Sequence, residues 1–420
     1  MTMNAKRRRA HQKLAALSGV RSVRRPVASV QTDAEFDLYY VRTGRKSAHP
    51  LVVIPGGPGV ASVALYRRFR RHAAEAGLDV IMVEHRGVGM SRHDDAGADL
   101  PPHSLTIEHV VDDVVAVLDD ARVDKAVVFG ASYGTYIAAG IGVRHPQRVA
   151  GMILDSPLLS AADMDVARAE IRRVLWDGIG GETAELAPKV RRLVADGVLT
   201  PAAGQLAAAV YGLGGPTLLN RQLDLLLAGR HGLWTVMDRL ARLLIARKAP
   251  YRNEPDLVGR IAFRELNYGD VPDGKPLDPA AAYRDFAADS VSFEAEPYDL
   301  VSEMPKFGWP TVVVSGGRDL ITPPAIASRI ASLIPGAVLL RLPTAGHSLL
   351  DSRERAVLQI AKAFPDNQVD TLPERAAALD ALPSGVALRL TLAVLGAAAA
   401  IERMLPRLVP RIVQRVAATS

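Results

Sequence analysis

The chain contains no cysteine in 420 residues. That excludes disulfides, cysteine nucleophiles and cysteine-ligated metals, although it does not fix the compartment. No apolar run of signal-peptide length follows the basic N-terminus, which argues against secretion by that route. The charge-free run from Leu390 to Ile401 is too short to span a bilayer comfortably. Histidine is scarce where a catalytic base would be sought: after residue 132 there are only His145, His231 and His347. Apolar residues make up 49% of the chain and charged residues 23%, which is ample for a core and unlike a disordered chain. The length suits one large domain or two. The net charge of +6 comes partly from Lys6 to Arg9 and Arg21 to Arg25. Residues 1–25 read as a solvated basic tail, in preference to a nucleic-acid site.

The chain is organised around Val127-Val128-Phe129-Gly130-Ala131-Ser132-Tyr133-Gly134-Thr135. A β-branched run leads into Gly-x-Ser-x-Gly, and a helix-compatible segment, Tyr136 to Val143, follows. That is strand, sharp turn, helix, with Ser132 on the turn. A serine there is held in a strained conformation with its hydroxyl clear of the sheet. Gly130 and Gly134 leave room for strand and helix to approach.

Upstream, the alternation of Val27, Val30, Phe36, Leu38 and Tyr40 predicts two short antiparallel edge strands between Pro26 and Thr43. Leu51 to Ile54 and Val80 to Val83 are continuous apolar runs, as in strands buried on both faces. The first ends in Pro55-Gly56-Gly57-Pro58-Gly59, a loop without side chains to obstruct a ligand, or else a plain tight turn. Ala64 to Ala76 and Ile107 to Leu118 have helical spacing, the latter with Asp112 and Asp113 on the wet face. Val123 to Phe129 and Val149 to Leu154 are further strands. This alternation predicts a parallel sheet covered on both sides by helices. After Pro157 the rhythm breaks, and 158–306 reads as a helical insertion. Strands resume at Thr311 to Val314 and Ala337 to Leu342, separated by a helix from Pro324 to Leu333. A helix from about Ser352 to Ala363 closes the domain.

A serine hydroxyl needs a base, and the base needs a carboxylate to hold its tautomer. In a parallel sheet those partners sit on loops at the carboxyl ends of strands. Asp319 follows one such strand and His347 the next. The order Ser, acid, His is that of the α/β-hydrolases. His145 lies at the far end of the nucleophile's own helix and His231 in the insertion. That leaves His347 as the base, a core or surface histidine being the alternative.

These segments together resemble an α/β-hydrolase of the proline iminopeptidase and tripeptidyl-aminopeptidase type, a serine aminopeptidase family. Pro55 to Gly59 is similar to its His-Gly-Gly-Pro-Gly loop, with proline in place of histidine. Glu84-His85-Arg86-Gly87-Val88-Gly89-Met90-Ser91 is similar to its Asp-Gln-Arg-Gly-x-Gly-x-Ser segment. Here that segment reads as structural, with Arg86 in a buried ion pair. The resemblance covers about residues 35–365. It implies an α/β-hydrolase fold with a helical cap after the sixth strand. It implies a triad of Ser132, Asp319 and His347, and an oxyanion hole from the backbone N–H groups of Gly57 and Tyr133. It also implies an acidic cap residue for the substrate ammonium. Glu265, in Arg264-Glu265-Leu266-Asn267-Tyr268, is the best match, with Asp289, Glu294 and Glu296 as rivals. The expected units are a core of 26–157 with 307–365, a cap of 158–306, and an extension of 366–420.

In that extension Arg403, Arg407, Arg411 and Arg415 recur every fourth residue among Leu, Val and Ile. The spacing suits a basic amphipathic helix on an anionic membrane, or one that packs or self-associates, although Pro406 and Pro410 would break it. The expected activity is cleavage of an N-terminal residue, proline included, through an acyl-enzyme, with no metal or organic cofactor and no nucleic-acid partner. The substrate is a small peptide or small molecule, and the expected location is cytoplasmic, with or without membrane association. A carboxylesterase or amidase with the same triad is the first alternative, and a catalytically silent binding module the second.

Overall fold

The computed structural model describes residues 3–28, 34–179, 181–246, 249–286 and 291–405. Eight strands form one sheet: β1 Val20–Pro26, β2 Glu35–Thr43, β3 Leu51–Ile54, β4 Val80–Val83, β5 Ala126–Ala131, β6 Val149–Asp155, β7 Thr311–Gly316 and β8 Val338–Leu342. Their order is β1-β2-β4-β3-β5-β6-β7-β8. β1 pairs with β2 and β2 with β4 antiparallel, and every other pair is parallel.

The apolar strands are buried on both faces because successive side chains point to opposite sides. Val52, Ile54, Val128, Leu154 and Val313 share one core with the helices Ile107–Asp120, Tyr133–Arg144 and Pro324–Leu333. Val53, Val127, Phe129, Ile153 and Val312 share the other with the helices Arg67–Glu75 and Glu354–Lys362. Between β6 and β7 lies a cap of helices that includes Asp163–Leu175, Leu186–Ala195, Pro201–Leu227, Gly232–Ala246, Pro255–Leu266 and Pro279–Phe286. The long Pro201–Leu227 helix is kinked at Gly215, just before Pro216. The cap has its own apolar cluster, including Ile171, Val190, Leu219 and Leu223.

Two expectations need correction. Residues 3–25, within the segment expected to be a tail, are folded. Residues Ala5–Ala15 form a helix, and Arg21 to Arg25 lie within β1, which ends where the edge pair was expected to begin. The charge is tolerated because the arginines find acids: Arg25 pairs with Asp113, and Arg24 with Glu35 and Asp95. Val30, expected in the edge pair, lies outside the described residues. Secondly, Asp113 is not on a wet face. It is 1% exposed and accepts both Nε and Nη2 of the buried Arg86. The ion pair expected for Arg86 is therefore present, with a helix acid as partner. The C-terminal helix, Val386–Met404, packs on the cap through Leu392 and Leu395, which is one of the arrangements expected for it. Arg407, Arg411 and Arg415 lie outside the described residues.

Candidate active site

Ser132 sits between β5 and the helix Tyr133–Arg144 with φ 52° and ψ −123°. A non-glycine residue there is strained, and the neighbouring glycines explain how the strain is held. A Cβ on Gly130 would lie 2.3 Å from the carbonyl oxygen of Gly134, and one on Gly134 would lie 2.1 Å from that of Ile54. Larger residues at either place would push the turn off the sheet.

The serine hydroxyl meets a histidine and the histidine a carboxylate. His347 Nε2 is 2.9 Å from Ser132 Oγ, and His347 Nδ1 is 2.9 Å from Asp319 Oδ2. The residues come from three separate loops, after β5, β7 and β8. Asp319 is 1% exposed, and its Oδ1 accepts the N–H groups of Ile321 and Thr322 at 2.9 Å each. Thr322 Oγ1 donates to Asp319 Oδ2 and lies 3.2 Å from His347 Nδ1. Burial alone would raise the Asp319 carboxyl, but the charge and hydrogen bond of His347 hold it below its ordinary value. Burial likewise disfavours a charged His347, and the Asp319 carboxylate outweighs it, so the imidazole pKa lies above its usual value. An anchored carboxylate of this kind fixes the tautomer that leaves Nε2 free to take the serine proton.

The histidine loop is itself held from β6. Ser348 N–H donates to Ser156 Oγ at 3.0 Å, and Leu350 N–H donates to Asp155 Oδ2 at 3.1 Å. Sequence reasoning gave Asp155, Ser156 and Thr322 no role. The visible signal was their position at the end of a strand, for Asp155 and Ser156, or in the loop that follows one, for Thr322.

Gly56 and Gly57 follow β3 on the loop facing the serine. A Cβ on Gly56 would lie 3.2 Å from Ser132 Cβ, a tight contact that would make the serine turn give by a few tenths of an ångström. Tyr133 is the first residue of its helix, where N–H groups have no intrahelical acceptor. Its hydroxyl lies 3.1 Å from His85 Nε2, while His85 Nδ1 donates to the Arg86 carbonyl. Burial pushes the His85 pKa down to about 4, so the ring is neutral and Nε2 accepts the tyrosine proton. The segment 84–91 is a brace, as expected. Glu84 accepts the N–H groups of Ser62, Val63 and Met90.

A partly open cavity lies beside Thr322, lined by Tyr136, Leu158, Asp163, Leu266, Tyr268, Tyr283 and Leu320 among others. Glu265 does not line it. One oxygen of Glu265 accepts Ile107 N–H at 2.8 Å, at the start of a core helix, and the other pairs with Arg264. Its carboxylate is already committed, which corrects the expectation that it meets a substrate amine. Glu294 is exposed, and Asp289 lies outside the described residues. Asp163, which the sequence did not single out, is in the cavity wall. Its Oδ2 accepts Leu159 N–H at 2.6 Å and Ser160 N–H at 3.2 Å. Burial, with a contribution from the charge of Glu296, pushes its carboxyl up to about 7. Glu296 in turn accepts Ala161 N–H at 2.8 Å. Among the described residues no cluster of His, Asp and Glu has metal-site geometry.

A family model described as the alpha/beta hydrolase fold matches residues 49–354. A probable proline iminopeptidase of Leptolyngbya boryana is 22% identical over 332 residues, 78% of this chain and 88% of that protein. A proline iminopeptidase of Neisseria meningitidis is 22% identical over 327 residues, covering 77% of this chain and 90% of its own length. The solved structure of proline iminopeptidase from Mycobacterium smegmatis is 17% identical, spans 86% of this chain and 99% of its own, and superposes with a TM-score of 0.48. By the family match over residues 49–354, this chain belongs to the α/β-hydrolase fold family.

Proposed function

We propose that this protein is a serine aminopeptidase that releases an N-terminal residue, proline included, from small peptides through an acyl-enzyme. The observation that carries the reading is the unbroken chain Ser132 Oγ, His347, Asp319, each link 2.9 Å. His347 Nε2 takes the Ser132 proton as Oγ adds to the scissile carbonyl. The N–H groups of Gly57 and Tyr133 receive the oxyanion, a contribution worth several kcal/mol in such sites. His347 then gives its proton to the departing amine nitrogen, leaving an ester on Ser132. Water, deprotonated by the same imidazole, releases the carboxylate product and restores the serine.

The amine specificity rests on Asp163 with Glu296. A carboxylate in the cavity wall, with the charge of a second one close enough to act on it, favours a cation beside them, and a substrate ammonium supplies one. The names of the similar curated proteins agree with this reading. The apolar lining by Leu158, Leu266 and Leu320 favours a second reading, a carboxylesterase for neutral acyl groups.

One comparison separates them. Prolyl and alanyl amides with a free amine are assayed against their N-acetyl counterparts and against a short-chain ester. The aminopeptidase reading expects a strong preference for the free amine. Equal rates on free and acetylated amides, with faster ester cleavage, would reject it in favour of the esterase.

A further inference from the structure

The C-terminal helix Val386–Met404 is apolar on two opposite faces. Leu392, Leu395 and Ala399 turn inward, the two leucines packing on the cap cluster. Val386, Leu390, Val394, Ala397, Ile401 and Met404 recur at steps of four and three residues and are all exposed. Such spacing puts them on one face of a helix. Leu390 is 62% exposed, Val394 65% and Met404 78%. The row runs about 27 Å at the rise of an α-helix. A second exposed row, Val236, Leu240 and Leu243, lies on the helix Gly232–Ala246. The two helices are joined end to end: Glu402 accepts the N–H groups of Gly232 and Leu233 at 2.7 and 2.9 Å. An exposed apolar row this long calls for an occupant.

The charge of this part of the sequence identifies it. From Val386 to Ser420 the chain carries Arg389, Arg403, Arg407, Arg411 and Arg415 but a single acid, Glu402. That acid is engaged at the neighbouring helix. Arg389 and Arg403 are exposed: helical periodicity puts Arg389 about 60° to one side of the row's edge, and Arg403 lies farther round the helix near its C-terminal end. No described helix is long and apolar enough to cross a membrane. We propose that this face docks the protein on an anionic lipid surface, its apolar row at the headgroup boundary and its arginines on the acidic headgroups. A second copy of the chain would bring the same positive charge to the contact, whereas anionic lipid neutralises it.

The test is flotation of the full chain with vesicles of phosphatidylcholine alone and of phosphatidylcholine with about one-third phosphatidylglycerol. The chain should float with the anionic vesicles, bind the zwitterionic ones far less, and be partly released by high salt. The double variant Leu390→Ser, Val394→Ser should bind about tenfold more weakly or less, since two exposed apolar anchors are lost. The double variant Arg389→Gln, Arg403→Gln should also lose binding to anionic vesicles. Both should keep the parent's melting temperature and its hydrolysis of a soluble ester. The proposal is overturned if the chain ignores anionic vesicles, or if it binds both vesicle types equally. It is also overturned if the parent dimerises with rising concentration and Leu390→Ser, Val394→Ser makes it monomeric without changing vesicle binding.

Discussion

Replacing Asp319 by asparagine should damage catalysis more than deleting the side chain altogether. The reason lies in the donors around the carboxylate. Its Oδ1 accepts two backbone N–H groups, from Ile321 and Thr322, each at 2.9 Å. In the asparagine variant only the amide oxygen can satisfy that pair, so the NH2 group must take the place of Oδ2. It then faces His347 Nδ1, where the parent has an acceptor at 2.9 Å. A donor there forces the imidazole proton onto Nε2, the atom that must receive the proton of Ser132. The neutral ring would be locked in the unproductive tautomer. Loss of kcat on the order of 10³–10⁴ is expected, the magnitude known for the same change in another serine triad. In Asp319→Ala, Thr322 Oγ1 loses its acceptor and, at 3.2 Å from Nδ1, can itself accept the imidazole proton. The productive tautomer then survives, and only the charge is lost. Steady-state kinetics on one chromogenic substrate, with melting curves for both variants, settle the order. An asparagine variant within about tenfold of the parent would mean that another carboxylate orients His347. An asparagine variant more active than the alanine one would refute the tautomer argument.

Three further outcomes follow. The acid limb of kcat/KM should lie above the ordinary histidine value of about 6.5, because Asp319 raises His347 and only the neutral ring accepts a proton; a pH profile from about 5 to 9 checks it, and a limb below that value would contradict it. Asp163→Asn should cost on the order of 10–10³ in kcat/KM for free-amine amides, the price of burying an ammonium without its partner, with a small neutral ester nearly unaffected, and Glu265→Gln should leave that preference intact. Asp113→Ala should lower stability by about 3–5 kcal/mol in denaturant titration, because it strands the buried Arg86 guanidinium, and a loss under about 1 kcal/mol would show that the Ser104 carbonyl, 2.9 Å from Arg86 Nη1, suffices.

Much of the core was legible because the parallel strands carry unbroken apolar runs. Leu51–Ile54, Val80–Val83 and the helix Pro324–Leu333 have the bounds that periodicity predicts. The order and spacing of Ser132, Asp319 and His347 likewise picked out three residues that the fold brings within hydrogen-bond reach. What failed was anything decided by pairing between distant charges. Arg25 and Asp113 look like surface residues until 88 positions of chain fold them together. Arg7 reads as part of a solvated basic run, yet it is 8% exposed and paired with the buried Glu254 of the cap. Glu265 fitted a motif, but its carboxylate caps a core helix. Asp163 carried no motif at all. Its place in the cavity wall follows from how the cap folds back over the sheet, which no local pattern encodes.

The central claim is that Ser132 is a nucleophile activated by His347. Intact-mass and peptide-mass analysis after treatment with a fluorophosphonate tests it most directly. One adduct per chain, on Ser132, is expected in the parent protein, and none in Ser132→Ala, which should melt at a similar temperature. A parent chain that stays unmodified, or an adduct that persists in Ser132→Ala, would contradict the account.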